Sequence, residues 1–216
     1  SLKEIKNKKI LDLGCGAGEF LYQIKRKYPD VKLLGIDYSP EEIEMARKRG
    51  LKIKRADLNK RINLGTKSQK IVYASEIIEH LYNPDLFLEE INRILKESGL
   101  LLLTTPNLCA WFNRFLVPFG VQPLFLEPST KSKLIGAGFL GRFKKDSHPV
   151  GHVRIFTLRA LKDILHLHGF RILEVYGSIW DEGLPKKVLY IDRIFNIFPS
   201  LSSRFILVAR KVKDIA

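Results

Sequence analysis

The feature that most constrains this chain is a rhythm. Between Lys9 and Thr105, apolar runs of strand length alternate with helix-like segments, and four of the runs finish at a glycine turn or an acid. Lys9 to Cys15 is the first run, and Gly18 to Tyr28 follows it with Phe20, Leu21, Ile24 and Tyr28 on one face before Pro29 stops it. Lys32 to Asp37 is the second run. Ser39-Pro40-Glu41-Glu42 then starts a helix with a cap, a proline at the first position and acids facing the dipole, and Gly50 closes it. Leu51 to Asp57 and Lys70 to Glu76 are the third and fourth runs, separated by Leu58 to Ser68, where the expected crossover helix is short or degenerate. Pro84 to Glu97 is amphipathic through Leu86, Phe87, Ile91, Ile94 and Leu95, and Gly99 precedes a fifth run, Leu100 to Thr105. Strands and helices that alternate in this way build an open, mostly parallel sheet with helices on both faces.

The rhythm breaks at Pro106 to Val150, which carries Trp111, Phe112, Phe115, Phe119 and Phe125. It resumes with a helix over Thr157 to His168 and a strand over Phe170 to Tyr176. An irregular apolar stretch from Ile179 to Pro199 leads to a last strand, Arg204 to Lys211. The two irregular segments, 106–150 and 178–203, follow strands five and six, so both emerge at the carboxyl edge where open sheets bind ligands. They are expected to form lids or acceptor-binding insertions on a single domain spanning 1–216. His166 and His168 read as surface or half-buried residues without partners. The two cysteines, Cys15 and Cys109, argue for no disulfide framework, and no run reaches the length of a membrane-spanning helix. A cytoplasmic location is the default expectation. The net charge of +14 is dispersed: basic residues outnumber acids 15 to 9 in 1–60, 6 to 2 in 108–150 and 11 to 6 in 151–216. That distribution reads as a solvated surface rather than a nucleic-acid stripe.

Asp12-Leu13-Gly14-Cys15-Gly16-Ala17-Gly18 joins the first strand to the first helix, and its glycines let a ligand approach the backbone. The spacing is Gly-x-Gly-x-Gly, unlike the Gly-x-Gly-x-x-Gly of dinucleotide oxidoreductases, which leaves a nicotinamide-dependent enzyme as a weaker reading. From Lys9 to about Gly177 the chain resembles the class I S-adenosylmethionine-dependent methyltransferases, whose first motif is similar to Ile10 to Gly18. The resemblance implies a Rossmann-like α/β fold of about seven mostly parallel strands with an aromatic-rich insertion after strand five. It also implies S-adenosylmethionine as cofactor. On the same basis Asp12, Leu13, Gly14, Cys15, Gly16 and Gly18 form the cofactor loop, and Asp37 accepts from the ribose hydroxyls with Tyr38 beside it. Asp57 and Leu58 then meet the adenine, while Ser75 and Glu76 close the site.

Ser75-Glu76-Ile77-Ile78-Glu79-His80-Leu81 is the most chemically loaded stretch. If helical, it converges Glu76, Glu79 and His80 within a turn, a set that supplies a base or takes a divalent metal. The Glu-x-x-Glu-His pattern is similar to that of ubiquinone-pathway O-methyltransferases and of small-RNA 2′-O-methyltransferases. In the latter a further histidine completes a magnesium site, and His152 occupies a comparable place. The favoured reading is metal-free, with His80, Glu79 and His152 as the candidate catalytic groups and a metal held by Glu76, Glu79, His80 and His152 as the alternative. The expected reaction is O-methylation of a small or lipid-like acceptor, because the insertion is aromatic and apolar. An RNA ribose 2′-O-methyltransferase and a non-catalytic cofactor-binding scaffold are the competing readings.

Overall fold

The computed structural model describes residues 9–143, 147–179 and 186–215. Its frame is a seven-stranded sheet in the order β3-β2-β1-β4-β5-β7-β6. The strands are β1 (Lys9–Leu13), β2 (Lys32–Asp37), β3 (Ile53–Arg55), β4 (Gln69–Ser75), β5 (Leu95–Pro106), β6 (Phe170–Ser178) and β7 (Arg204–Lys211). The first five pair in parallel, and β7 enters antiparallel between β5 and β6. The order reverses between β1 and β4, so the loops leaving these two strands diverge and open a crevice at their carboxyl ends.

Six helices accompany the sheet among the described residues: α1 (Glu19–Lys27), α2 (Pro40–Lys48), α3 (Pro84–Ile94), α4 (Trp111–Leu116), α5 (Leu158–Leu167) and α6 (Lys186–Phe195). Polar caps start three of them. Ser39, Asn83 and Thr157 accept from the backbone N–H of Glu42, Leu86 and Ala160, respectively. On one face of the sheet Phe87, Leu88 and Ile91 of α3 and Leu161 and Leu165 of α5 bury Leu11, Leu13, Val72, Leu101, Leu103 and Phe205. On the other, Leu21 of α1 and Ile43 and Ala46 of α2 pack with Leu51 and Ile53. A third, smaller core lies inside the insertion after β5, where Ala110, Phe112, Leu116, Val121 and Phe125 bury one another.

Four expectations change. The helix expected over Pro84 to Glu97 ends at Ile94, and Leu95 is already extended. Its last carbonyls are taken by distant partners: Arg93 and Ile94 accept from the backbone of Lys67 and Ser68, and Asn92 and Leu95 accept from the Lys211 ammonium. The 58–68 crossover holds no helix. It is clamped instead by Glu90, which accepts from the Ile62 N–H, and by Arg93, which donates to the carbonyls of Ile62 and Leu64. Within 178–203, expected to be irregular, the described part includes a helix, α6. Trp111 of α4 stacks on Phe195 at 5.2 Å and donates its indole N–H to Asp192. Finally, His168 is buried and its Nε2 lies 2.8 Å from an Asp85 carboxylate oxygen, so it joins α5 to α3 rather than facing water. Residues 144–146 and 180–185 of the two insertions, and the opening 1–8, lie outside the described residues.

Candidate active site

The three glycines of the β1–α1 turn are needed for three different reasons. All have positive φ, a conformation that side chains resist. A Cβ on Gly14 would press on Ile77 at 2.9 Å, so that glycine lets the β4 loop close over β1. A Cβ on Gly18 would collide with Leu51 and Ala46, so that one seats α1 against α2. On Gly16 a Cβ would meet nothing nearer than a Glu42 carboxylate oxygen at 3.5 Å, leaving an open face. The Gly16 N–H donates to Asp37 Oδ2 at 2.7 Å, and Ser39 N–H donates to Oδ1 at 3.0 Å. The end of β2 thereby holds the glycine turn in place.

The crevice beside this turn has a volume of about 370 Å³, and Gly14, Asp37, Tyr38, Asp57, Ile77 and His80 are among its walls. Its chemistry divides by position. Ile77, Leu58 and Leu81 supply flat apolar walls, and Asp37, Asp57 and Asn59 supply polar edges, a combination suited to a nucleoside. Asp57 holds its carboxyl below the ordinary range because it accepts from the Asn59 N–H. The Tyr38 ring is largely exposed and lies under the Arg55 guanidinium, 5.3 Å from the ring centroid. Asp12, near the end of β1, is buried. Burial, then the charge of Asp37, pushes its carboxyl up to about 7. The same burial, with Asp12 and Asp37 beside it, pushes the Cys15 thiol up to about 12, so it stays a neutral thiol.

Beyond β4 the chain bends at Glu76, whose φ of 51° is a conformation that a non-glycine residue keeps only when held. It is held: Glu76 N–H donates to the Thr104 carbonyl, Thr104 Oγ1 donates to Glu76 Oε1 at 2.9 Å, and Arg204 Nε lies 3.3 Å from Oε2. Ser75 Oγ is likewise 2.7 Å from Thr104 Oγ1. A single 3-10 turn, Ile78–His80, follows, and the stretch is not an α-helix. The turn sends Glu79 inward and His80 to the crevice.

His152 joins these two from the far side of the insertion, its ring centroid 4.9 Å from that of His80. Ligand-competent atoms of Glu79, His80 and His152 lie within 4.8 Å of one another, while Glu76 is engaged by Thr104 and Arg204 instead. The tautomers follow from the partners. His80 Nδ1 is 3.1 Å from the Gly151 carbonyl and His152 Nδ1 is 2.8 Å from the Phe125 carbonyl. A carbonyl only accepts, so each Nδ1 carries the proton and each Nε2 keeps a lone pair. Burial, then the neighbouring His152, holds the His80 pKa below its ordinary value. Burial, then Glu76, pushes the Glu79 carboxyl up to about 8. Thr105 Oγ1 donates to Glu79 Oε2 at 2.8 Å, whereas the buried Oε1 has no partner among the described residues. In its neutral form Glu79 therefore carries its proton on Oε1.

Two groups escaped the sequence reading. Glu127 accepts from the backbone N–H groups of Val150, Gly151 and His152, at 2.8, 2.8 and 3.2 Å, and so holds the loop that carries His152. Arg204 reaches Glu76 from β7. Neither has a signal in local spacing, since both act on partners at least 23 residues away.

Residues 1–175 match the model of a family described as a methyltransferase domain. A ubiquinone biosynthesis O-methyltransferase of Pelagibacter ubique is 33% identical over 109 residues, which cover 49% of this chain and 45% of that protein. A malonyl-[acyl-carrier protein] O-methyltransferase of Legionella pneumophila is 32% identical over 107 residues, covering 47% of this chain and 37% of that protein. The chain thus matches less than half the length of these curated relatives. Among solved structures, a SAM-dependent methyltransferase from Methanosarcina mazei shares the fold with a TM-score of 0.68, at 14% identity, over 98% of this chain and 96% of that one. Sheet order, glycine turn and family match agree, and the chain belongs to the methyltransferase-domain family of class I S-adenosylmethionine-dependent methyltransferases.

Proposed function

We propose that this protein methylates a hydroxyl oxygen of a small, lipid-like acceptor. The observation that carries the reading is the pair of Nε2 lone pairs on His80 and His152, fixed by backbone carbonyls beside the cofactor crevice. S-adenosylmethionine, when bound, supplies an activated methyl on a sulfonium, so the protein has to position the acceptor and take up one proton. Gly14, Gly16 and the segment Leu13 to Cys15 line the methionine end, with Gly18 setting the start of α1. Asp37 has lone pairs left for ribose hydroxyls, Asp57 and Leu58 take the base, and Tyr38 covers it. Asp12 is a buried acid next to the glycine turn, where a cationic ligand group suits it. Ser75 and Glu76 set the bend that brings the next turn into range.

His80 is assigned as the base. It stands on the crevice wall, and its depressed pKa keeps it unprotonated at neutral pH. His152 offers a second acceptor nitrogen, and buried Glu79 backs the two imidazoles from inside the turn. Together they hold a hydroxyl in the orientation that transfer needs. The apolar insertion and the O-methyltransferase relatives support an acceptor with a greasy body. Glu79, His80 and His152 are also one carboxylate and two imidazoles, a set that fits a divalent cation once Glu79 is ionised. In that second reading the cation orients the acceptor oxygen.

The experiment is turnover of phenolic and polyprenyl-type alcohols with labelled S-adenosylmethionine, before and after chelation. Methyl incorporation that survives chelation supports the metal-free reading, and loss restored by magnesium moves the assignment to the cation. Tight cofactor binding without turnover of any hydroxyl substrate defeats both. Absence of cofactor binding in calorimetry puts the scaffold reading first.

A further inference from the structure

The insertions after β5 and β6 concentrate the exposed apolar surface of the molecule. Of the twenty large hydrophobic side chains exposed among the described residues, twelve lie within 106–150 and 178–203. The densest group is on α6 and the turn after it. Tyr190, Ile194, Ile197 and Phe198 recur at i, i+4, i+7 and i+8 and are 69%, 62%, 75% and 57% exposed, with Ile191 beside them. The opposite side of the same helix is anchored: Asp192 is buried and accepts from Trp111 Nε1 and Ser203 Oγ, and Phe195 stacks on Trp111. That stacking joins α6 to α4, whose Phe115 is exposed and pairs with exposed Phe119 at 5.5 Å. An ordinary surface helix turns its polar side to water; α6 turns an apolar one.

The region is net basic: residues 106–150 and 178–203 hold nine lysines and arginines against five acids. The described stretches 106–143 and 186–203 contain seven lysines and arginines against two acids, Glu127 and Asp192. Both acids are spent inward, Glu127 on three backbone N–H groups and Asp192 on Trp111 and Ser203. Arg114 and Arg193 are exposed, and Arg193 lies over the Tyr190 ring at 5.8 Å.

We propose that α4, α6 and the turn through Phe198 form a docking face for an anionic lipid bilayer. The exposed aliphatic and aromatic side chains enter the level of the headgroups and upper acyl chains, and the arginines at their margin meet lipid phosphates. Among the described residues no helix is long and apolar enough to cross a membrane, so the contact is one-sided. A second copy of the chain is the poorer occupant. A two-fold contact through this face would set its arginines against their own copies, whereas an anionic surface neutralises them. The face lies on the two segments that leave the carboxyl edge of the sheet, the same edge as the crevice. A docked molecule would thus open its acceptor side toward the bilayer. The inference stands on the surface and not on the acceptor assignment, because vesicle binding is scored without turnover.

The test is co-sedimentation of the full chain with vesicles of phosphatidylglycerol and phosphatidylcholine, compared with phosphatidylcholine alone, in about 0.1 M and about 0.5 M salt. Partition into anionic vesicles at least about tenfold above neutral ones, weakened by salt, is expected. The double variant Ile194→Ser with Ile197→Ser, and separately Arg193→Glu, should each lower it about tenfold while calorimetric S-adenosylmethionine binding stays unchanged. Equal partition of the variants, or none by the parent chain, overturns the proposal. So does a vesicle-free dimer that the double variant dissolves, since the face then belongs to a second copy.

Discussion

Asp12 shows what a single buried carboxylate does to this molecule. Its side chain is 2% exposed and its carboxyl is pushed up to about 7, by burial first and by Asp37 second. In the unfolded chain the same group ionises near 3.8, as an ordinary aspartate does. Between these pH values the folded state keeps a proton that the unfolded chain has lost, so stability falls as pH rises from about 4 to about 7 and stays low above it. The cost at pH 8 is roughly 4 kcal/mol. Asp12→Asn should therefore raise the melting temperature of the ligand-free protein at pH 8 by about 5 °C, flatten its pH dependence, and weaken S-adenosylmethionine binding. A variant that melts lower at pH 8, or that binds the cofactor as tightly, contradicts the assignment. His80 carries the companion prediction. Because its pKa lies below the ordinary 6.5, kcat/KM should rise to its plateau with a midpoint below that value. His80→Asn should remove that limb and lower kcat about a hundredfold with cofactor affinity retained, as a pH series of initial rates would show.

At the scale of elements, legibility followed contrast. The helices α1, α2, α3 and α5 bury one side and wet the other, and three begin at a capping side chain, so spacing and caps together locate them. On α6 there is little contrast to find, because apolar residues occupy its outer side as well, and only Trp111 and Ser203, far along the chain, define which side is inner. The end of α3 was misplaced for a related reason: its last carbonyls are satisfied by Lys67, Ser68 and Lys211, which no local pattern announces. The candidate site divides in the same way. Asp37, Asp57 and the glycines sit at strand ends and are visible as such; the partnership of His80 with His152 spans 72 residues and depends on the loop held by Glu127. That loop gives a sharp prediction. Burial works against the Glu127 carboxylate, and three backbone N–H groups outweigh it to hold its pKa below the ordinary range. Glu127→Ala leaves those donors unmatched, releases His152, and should lower kcat about 10- to 100-fold with the cofactor dissociation constant unchanged. Loss of cofactor binding in proportion would show that Glu127 supports the whole fold and not the loop.

The whole molecule consists of two packing units of unequal standing. The sheet was legible because a parallel strand reads as an apolar run and its crossovers have one hand, which leaves few topologies for the alternation between Lys9 and Thr105. The insertion was legible only as an interruption, since its core forms from residues that meet one another and not the main sheet: Ala110, Phe112, Leu116, Val121 and Phe125 make a cluster separate from the one around Phe87. Clusters that do not share side chains open with different free energies. Phe87 is completely buried in the large cluster, and Phe87→Ala should lower global stability by about 3–5 kcal/mol and speed hydrogen exchange throughout the sheet. Phe112 is buried at 5% exposure in the small one. Its replacement by alanine should release exchange in 107–127 and around His152, by a factor corresponding to about 2–3 kcal/mol, while β1, β4 and β5 keep their protection. Cofactor binding, which we propose draws on the ends of β1, β2 and β3, should survive that substitution, and turnover should not, because His152 hangs from Phe125 and Glu127. Hydrogen exchange read by mass spectrometry on both variants decides the matter: equal loss of protection in sheet and insertion after Phe112→Ala would mean a single cooperative core.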